Sequence, residues 1–157
     1  MSPKELEDWF PHLKEEGWKK TSEESEDYNC IAFAASDEAR KWDPDESAGR
    51  YWPEGVPRTL ELSSFIRLYE VERGFVKCDL NSDIETGFEK IAIYCNFNPQ
   101  MKTLEVTHAA RQLPSGKWTS KLGDADDIEH NTLKAVSGSW PAYGTVKQIM
   151  KRALLPN

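Results

Sequence analysis

Apolar residues recur at helical spacing over residues 3–13. Leu6, Trp9, Phe10 and Leu13 fall on one face there, which predicts a short amphipathic helix. Residues 19–27 are charged and without apolar period, and read as a solvated surface loop. Tyr28-Asn29-Cys30-Ile31-Ala32-Phe33-Ala34-Ala35 opens a second helix, with Asp27 or Asn29 as N-cap and Ala-rich spacing running on to about Trp42. Residues 43–57 form a long loop bearing Tyr51 and Trp52 among Pro44, Pro53 and Pro57. Thr59 caps a third helix with Leu60, Leu62, Phe65, Ile66 and Tyr69 as its apolar set, ending near Gly74.

After Gly74 the period changes from helical to alternating. Strands are expected over residues 75–79, 89–96, 104–113, 117–122 and 143–152, with Pro114-Ser115-Gly116 as a hairpin turn. Residues 124–129 read as an acidic loop and 132–136 as one helical turn. Helices followed by mostly antiparallel strands indicate an α+β fold, with the helices on one face of a sheet of four or five strands.

Length and composition bound what this fold can be. A chain of 157 residues that is 38% apolar suits one domain, residues 1–157, with residues 1–27 as a helix and polar lead-in. No apolar run is long enough to cross a bilayer, and the start has neither a basic nor an apolar signal region. The expected location is therefore the cytoplasm; a protein exported without a cleaved signal would carry the same pattern. A formal charge of −7 disfavours binding to nucleic acid or to an anionic membrane. Oligomeric state leaves no mark in the sequence.

Three cysteines and three histidines make every candidate site enumerable. No CxxC or HxxxH spacing supports a metal site, no glycine-rich phosphate loop is present, and no cofactor is expected. Cys78 and Cys95 read as buried small hydrophobes. Cys30 differs because it opens a helix, where free N–H groups and the helix dipole favour a thiolate. His108 lies in Glu105-Val106-Thr107-His108-Ala109-Ala110-Arg111-Gln112, where alternation puts Val106, His108 and Ala110 on one face. There it is either a core histidine or a general base aimed at Cys30. His12 is the weakest histidine candidate; His130, after the acidic loop, is free to be exposed or to complete a site.

The segment Asn29-Cys30-Ile31-Ala32-Phe33-Ala34 resembles the nucleophile motif of papain-like bacterial cysteine hydrolases of the NlpC and CHAP types. The segment from Thr107 to Ser120 resembles their histidine strand, hairpin and following strand. The resemblance implies a papain-like core over residues 28–152, with a Cys30–His108 dyad and a polar orienter on the strand after the histidine. That position falls on Thr119 or Ser120, and a hydroxyl orients imidazole more weakly than a carboxylate. His130, Asp126 and Asp127 are the alternatives. Tyr28-Asn29-Cys30, Tyr51-Trp52-Pro53, Thr107 to Gln112, Trp118 to Gly123, Ile128-Glu129-His130 and Tyr143-Gly144 are also similar to a group of small bacterial proteins, a likeness that implies no substrate.

The implied activity is a cysteine hydrolase or acyltransferase acting on an amide or thioester bond in a peptide or other amide-containing substrate. Cys30, His108, His130 and Ser120 are its catalytic candidates; Tyr28, Asn29, Tyr51, Trp52 and Lys121 are its substrate-binding candidates. Asn29 also reads as structural. Trp42, Tyr51 and Trp52 either wall a cleft or cap the core. Lys121 either pairs with Asp124 or Asp126 or binds a carbonyl or anionic oxygen. The competing function is a non-catalytic binding or immunity-type module on a degenerate papain-like fold.

Overall fold

A computed structural model describes residues 1–155. Seven strands form one sheet: β1 (Trp18–Ser22), β2 (Val76–Cys78), β3 (Phe88–Asn98), β4 (Thr103–Gln112), β5 (Trp118–Lys121), β6 (Asp127–His130) and β7 (Thr145–Ala153). Their spatial order is β1-β6-β5-β4-β3-β7-β2, and each neighbouring pair is antiparallel. The helices are α1 (Pro3–Trp9), α2 (Leu13–Glu16), α3 (Cys30–Ala34) and α4 (Leu62–Arg73).

This corrects the expected fold. The papain-like arrangement of N-terminal helices on one face of a four- to five-stranded sheet gives way to a seven-stranded antiparallel sheet with few, short helices. Two supposed loops supply the extra strands. β1 comes from the charged lead-in and pairs with β6, which comes from the acidic segment. The single long helix expected from Tyr28 is only five residues long. It stops because Ser36 takes a left-handed conformation, and the Asp37 carboxylate then accepts from the Ala39 N–H and the Trp42 Nε1–H. By contrast, α4 ends at Gly74 as its sequence predicts, with a left-handed glycine that accommodates the chain reversal.

Both faces of the sheet are covered. α3, α4 and the Trp42–Trp52–Val56 segment pack on one face against Ile91, Ile93, Cys95, Val106, Ala109 and Met150. Leu6, Phe10 and Leu13 cover the other, against Ala92, Tyr94, Ala110, Trp118, Leu122 and Ile128. β3 obeys strict alternation between these layers. β4 does not, because the β3 partner shifts from His108 opposite Tyr94 to Val106 opposite Cys95, leaving Thr107 as an extra residue. The bulge separates Val106 from the face that carries Ala110. The expected sharing of one face by Val106, His108 and Ala110 is thus corrected, and His108 packs with Tyr94 and Tyr143.

Candidate active site

Two features of the sheet place the candidate residues. β4 and β5 pair only at Arg111 with Thr119 and at Gln112 with Trp118, and α3 packs on both strands. β5 and β6 pair Ser120 with Ile128 and Trp118 with His130. Where the β4–β5 ladder stops, the side chains of His108, Ser120 and His130 meet on one face.

Asn29 sets the start of α3. Its Oδ1 accepts from the Ala32 N–H at 3.2 Å and from the Trp42 N–H at 3.1 Å, and its Nδ2 donates to the Trp42 carbonyl at 2.7 Å. The side chain is thus an N-cap and a clamp on the following loop, which accounts for its place in the sequence without a substrate. Replacing Asn29 with Ala should cost about 2 kcal/mol of unfolding free energy, since a cap and a part-buried amide contact are lost together. Urea denaturation checks this; a loss under about 0.5 kcal/mol would contradict the clamp.

Cys30, first residue of α3, is half-buried among the apolar residues of its layer. Burial pushes its thiol up to about 11, while the N–H groups of Ala109, Ile31 and Cys30 itself partly offset the shift by favouring the thiolate. Ala109 directly follows His108. The Tyr143 phenol is pushed up by burial, and further by the negative charge Cys30 carries once it is ionised, with the Gly123 N–H working against both. The Tyr143 ring stacks on the His108 ring at 4.0 Å between centroids and 2° between planes. Among the described residues no hydrogen bond joins Cys30 to His108: Cys30 packs with the layer that holds Ala109, and His108 packs with Tyr94 and Tyr143, so the link between them is β4 itself, through the adjacent residues His108 and Ala109.

His108 is fully buried. Its Nε2 lies 2.8 Å from the Ser120 hydroxyl, which lies 2.8 Å from Nε2 of His130. Nδ1 of His130 donates to the Thr132 carbonyl at 2.8 Å. Nδ1 of His108 has no partner among the described residues. Burial, then the neighbouring His130, holds the His108 imidazole well below its ordinary range. Burial likewise lowers His130 to about 4, against the opposing effects of the Thr132 carbonyl and Glu129. The resting site is therefore a neutral thiol beside neutral imidazoles.

Of the possible orienters, then, the chain brings Ser120 and His130 to His108. Thr119 donates instead to the Ile128 carbonyl, and Asp127 accepts from the Tyr28 hydroxyl. Lys121, fully buried, donates to the Ala125 carbonyl, lies 4.0 Å from Asp127 and faces the Tyr28 ring at 5.1 Å. Asp124 pairs with Lys41 rather than Lys121. The remaining aromatics serve packing: Trp42 is fully buried, Trp52 donates to the Val56 carbonyl and packs on Phe65, and Tyr51 donates to Glu72 beneath Arg40. His12 sits at the start of α2.

A family model described as Domain of unknown function (DUF7689) matches residues 19–151. The chain belongs to this family. No curated protein and no solved structure matches it. The DUF7689 match excludes α1 and takes in Cys30, His108, Ser120, His130 and Tyr143. Tyr143 stands outside the site residues expected from the sequence, although Tyr143-Gly144 is one of the segments similar to small bacterial proteins. Its one signal is the following Gly144, where a Cβ would stand 2.1 Å from the Cys95 carbonyl oxygen, so only glycine lets the chain pass this close and seat the ring. Tyr143 also lines a groove of about 440 Å³ with Trp9, Leu122, Gly123, Trp140 and Pro141. Among the described residues no helix is long and apolar enough to cross a membrane.

Proposed function

We propose that this protein carries out acyl transfer or hydrolysis at an amide or thioester carbonyl, with Cys30 as nucleophile and His108 as general base. The observation that carries this reading is the buried Nδ1 of His108, without a partner among the described residues, on a strand whose next residue, Ala109, turns its N–H to the helix-opening Cys30. A buried nitrogen without a partner is costly, and sites of reaction are where such costs are retained.

Because both groups rest neutral, the thiol proton passes to His108 as sulfur attacks the carbonyl carbon, rather than in advance. We assign to the N–H groups of Cys30 and Ala109, which favour a thiolate, the further role of favouring developing negative charge on the substrate oxygen. As the carbonyl re-forms, the C–N or C–S bond breaks and the leaving group takes the proton from His108. Water or a second nucleophile then attacks the thioester on Cys30, with His108 taking and returning a proton again. The groove beside Tyr143 is the approach we assign to substrate. Three free thiols fit a reducing compartment, and we place the protein in the cytoplasm on that ground.

A second reading, a binding module without turnover, is favoured by the complete enclosure of His108. Incubation with an activated acyl ester, followed by peptide mass spectrometry, separates the two. The expected result is an acyl adduct on Cys30 with Cys78 and Cys95 unmodified, abolished in Cys30→Ser. Adducts spread evenly over the three thiols, or none on Cys30, would favour the binding module.

A further inference from the structure

We propose that Ser120 and His130 are positioning residues that lock His108 in the tautomer with its proton on Nε2 and its lone pair on Nδ1. The polarity follows from one fixed end. The Thr132 carbonyl can only accept, so Nδ1 of His130 carries that ring's proton and Nε2 is a bare acceptor. The Ser120 hydroxyl has one proton and two ring nitrogens at 2.8 Å. It gives that proton to His130 and must accept from the other side, so Nε2 of His108 is the donor. The Nδ1 left bare is the atom without a partner.

The opposite polarity requires a proton on both nitrogens of His130. It would put a charge in a site where His130 is fully buried, and turn Nδ1–H of His108 into a buried donor with no acceptor. The charged groups near His130 do not relieve this. Glu129 alternates away toward Lys19 and Lys117, and Glu16 accepts from the Thr132 hydroxyl. Tyr94 and Tyr143 flank His108 with ring faces and edges rather than acceptors for Nδ1. A carboxylate orienter would tether imidazole through its charge; here a fixed backbone carbonyl does so through a neutral relay.

The use of this lone pair as a base rests on the proposed chemistry of Cys30, but the tautomer does not, and the two are read separately. Two-bond ¹⁵N–¹H correlation spectra of histidine-labelled protein at neutral pH give the tautomer directly. A bare Nδ1 on His108 and a bare Nε2 on His130 are expected. Ser120→Ala and His130→Ala should destroy the single His108 tautomer and slow Cys30 acylation about tenfold or more. His130→Gln should restore both, because its Oε1 can accept from Ser120. A proton on Nδ1 of His108 in the native protein overturns the proposal whatever the variants do. So does a tautomer unmoved by both alanine variants. If the tautomer is as expected while His108→Ala leaves Cys30 acylation unchanged, the relay stands and the catalytic reading falls.

Discussion

Replacing His108 with Ala is expected to slow acylation of Cys30 by about 10²- to 10⁴-fold, the range a positioned general base supplies. The size follows from the resting state of the thiol. With burial holding Cys30 at about 11, only about one molecule in 10⁴ carries a thiolate at pH 7, so sulfur depends on a base during attack. A cysteine already ionised by its helix terminus would lose much less. Single-turnover formation of the acyl adduct, followed by intact mass, measures the effect, and Cys30→Ser sets the background. His108→Gln is the check on folding: it keeps a polar group near Ser120 and removes the base. A rate within twofold of the native value in both variants would end the assignment of His108 as base. The pH profile carries a second mark. Ordinary thiol reagents should react with Cys30 ever faster above pH 9, well past the range for an activated cysteine.

How much of this site could be read from the chain depends on which interactions are local. Asn29 and Cys30 at a helix start are legible because a cap and its helix are neighbours in sequence. The hairpin at Pro114-Ser115-Gly116 is legible for the same reason. The charged strand β1 is not, since its five residues show no apolar alternation and hold their place by pairing with β6. β6 hides behind Asp126 and Asp127, which read as solvated but are buried, Asp127 with Tyr28 as its donor. The bulge at Thr107 shifts the face of everything before it, and no residue type announces it. Ser120 and His130 were candidates by position along the chain; what joins them is the register of three strands, a long-range property. The pKa of Cys30 reversed for a related reason: the helix terminus is visible in sequence, whereas the layer of apolar side chains that buries the thiol is not.

The same buried imidazoles should make the fold acid-sensitive above the range in which carboxylates titrate. The unfolded chain takes up a proton on His130 near pH 6.5, whereas the folded chain withholds it until about 4. Between these values the unfolded state binds more protons, so stability falls as pH falls. The contribution is fully present above about pH 6.5 and lost by about pH 4. At about 1.4 kcal/mol per pH unit, His130 alone accounts for about 2 kcal/mol between pH 6.5 and 5. His108, also lowered by burial, acts in the same direction through the same window. Urea unfolding followed by tryptophan fluorescence at pH 7, 6 and 5 measures the slope. His130→Gln should flatten it by about half, since glutamine can hold the Ser120 hydroxyl but takes up no proton. The two histidines act as one unit, so the double variant with His108→Gln should leave little slope between pH 7 and 5. A native protein as stable at pH 5 as at pH 7 would mean that the rings are solvated and the relay is not the closed, neutral chain that His108 needs to act as a base.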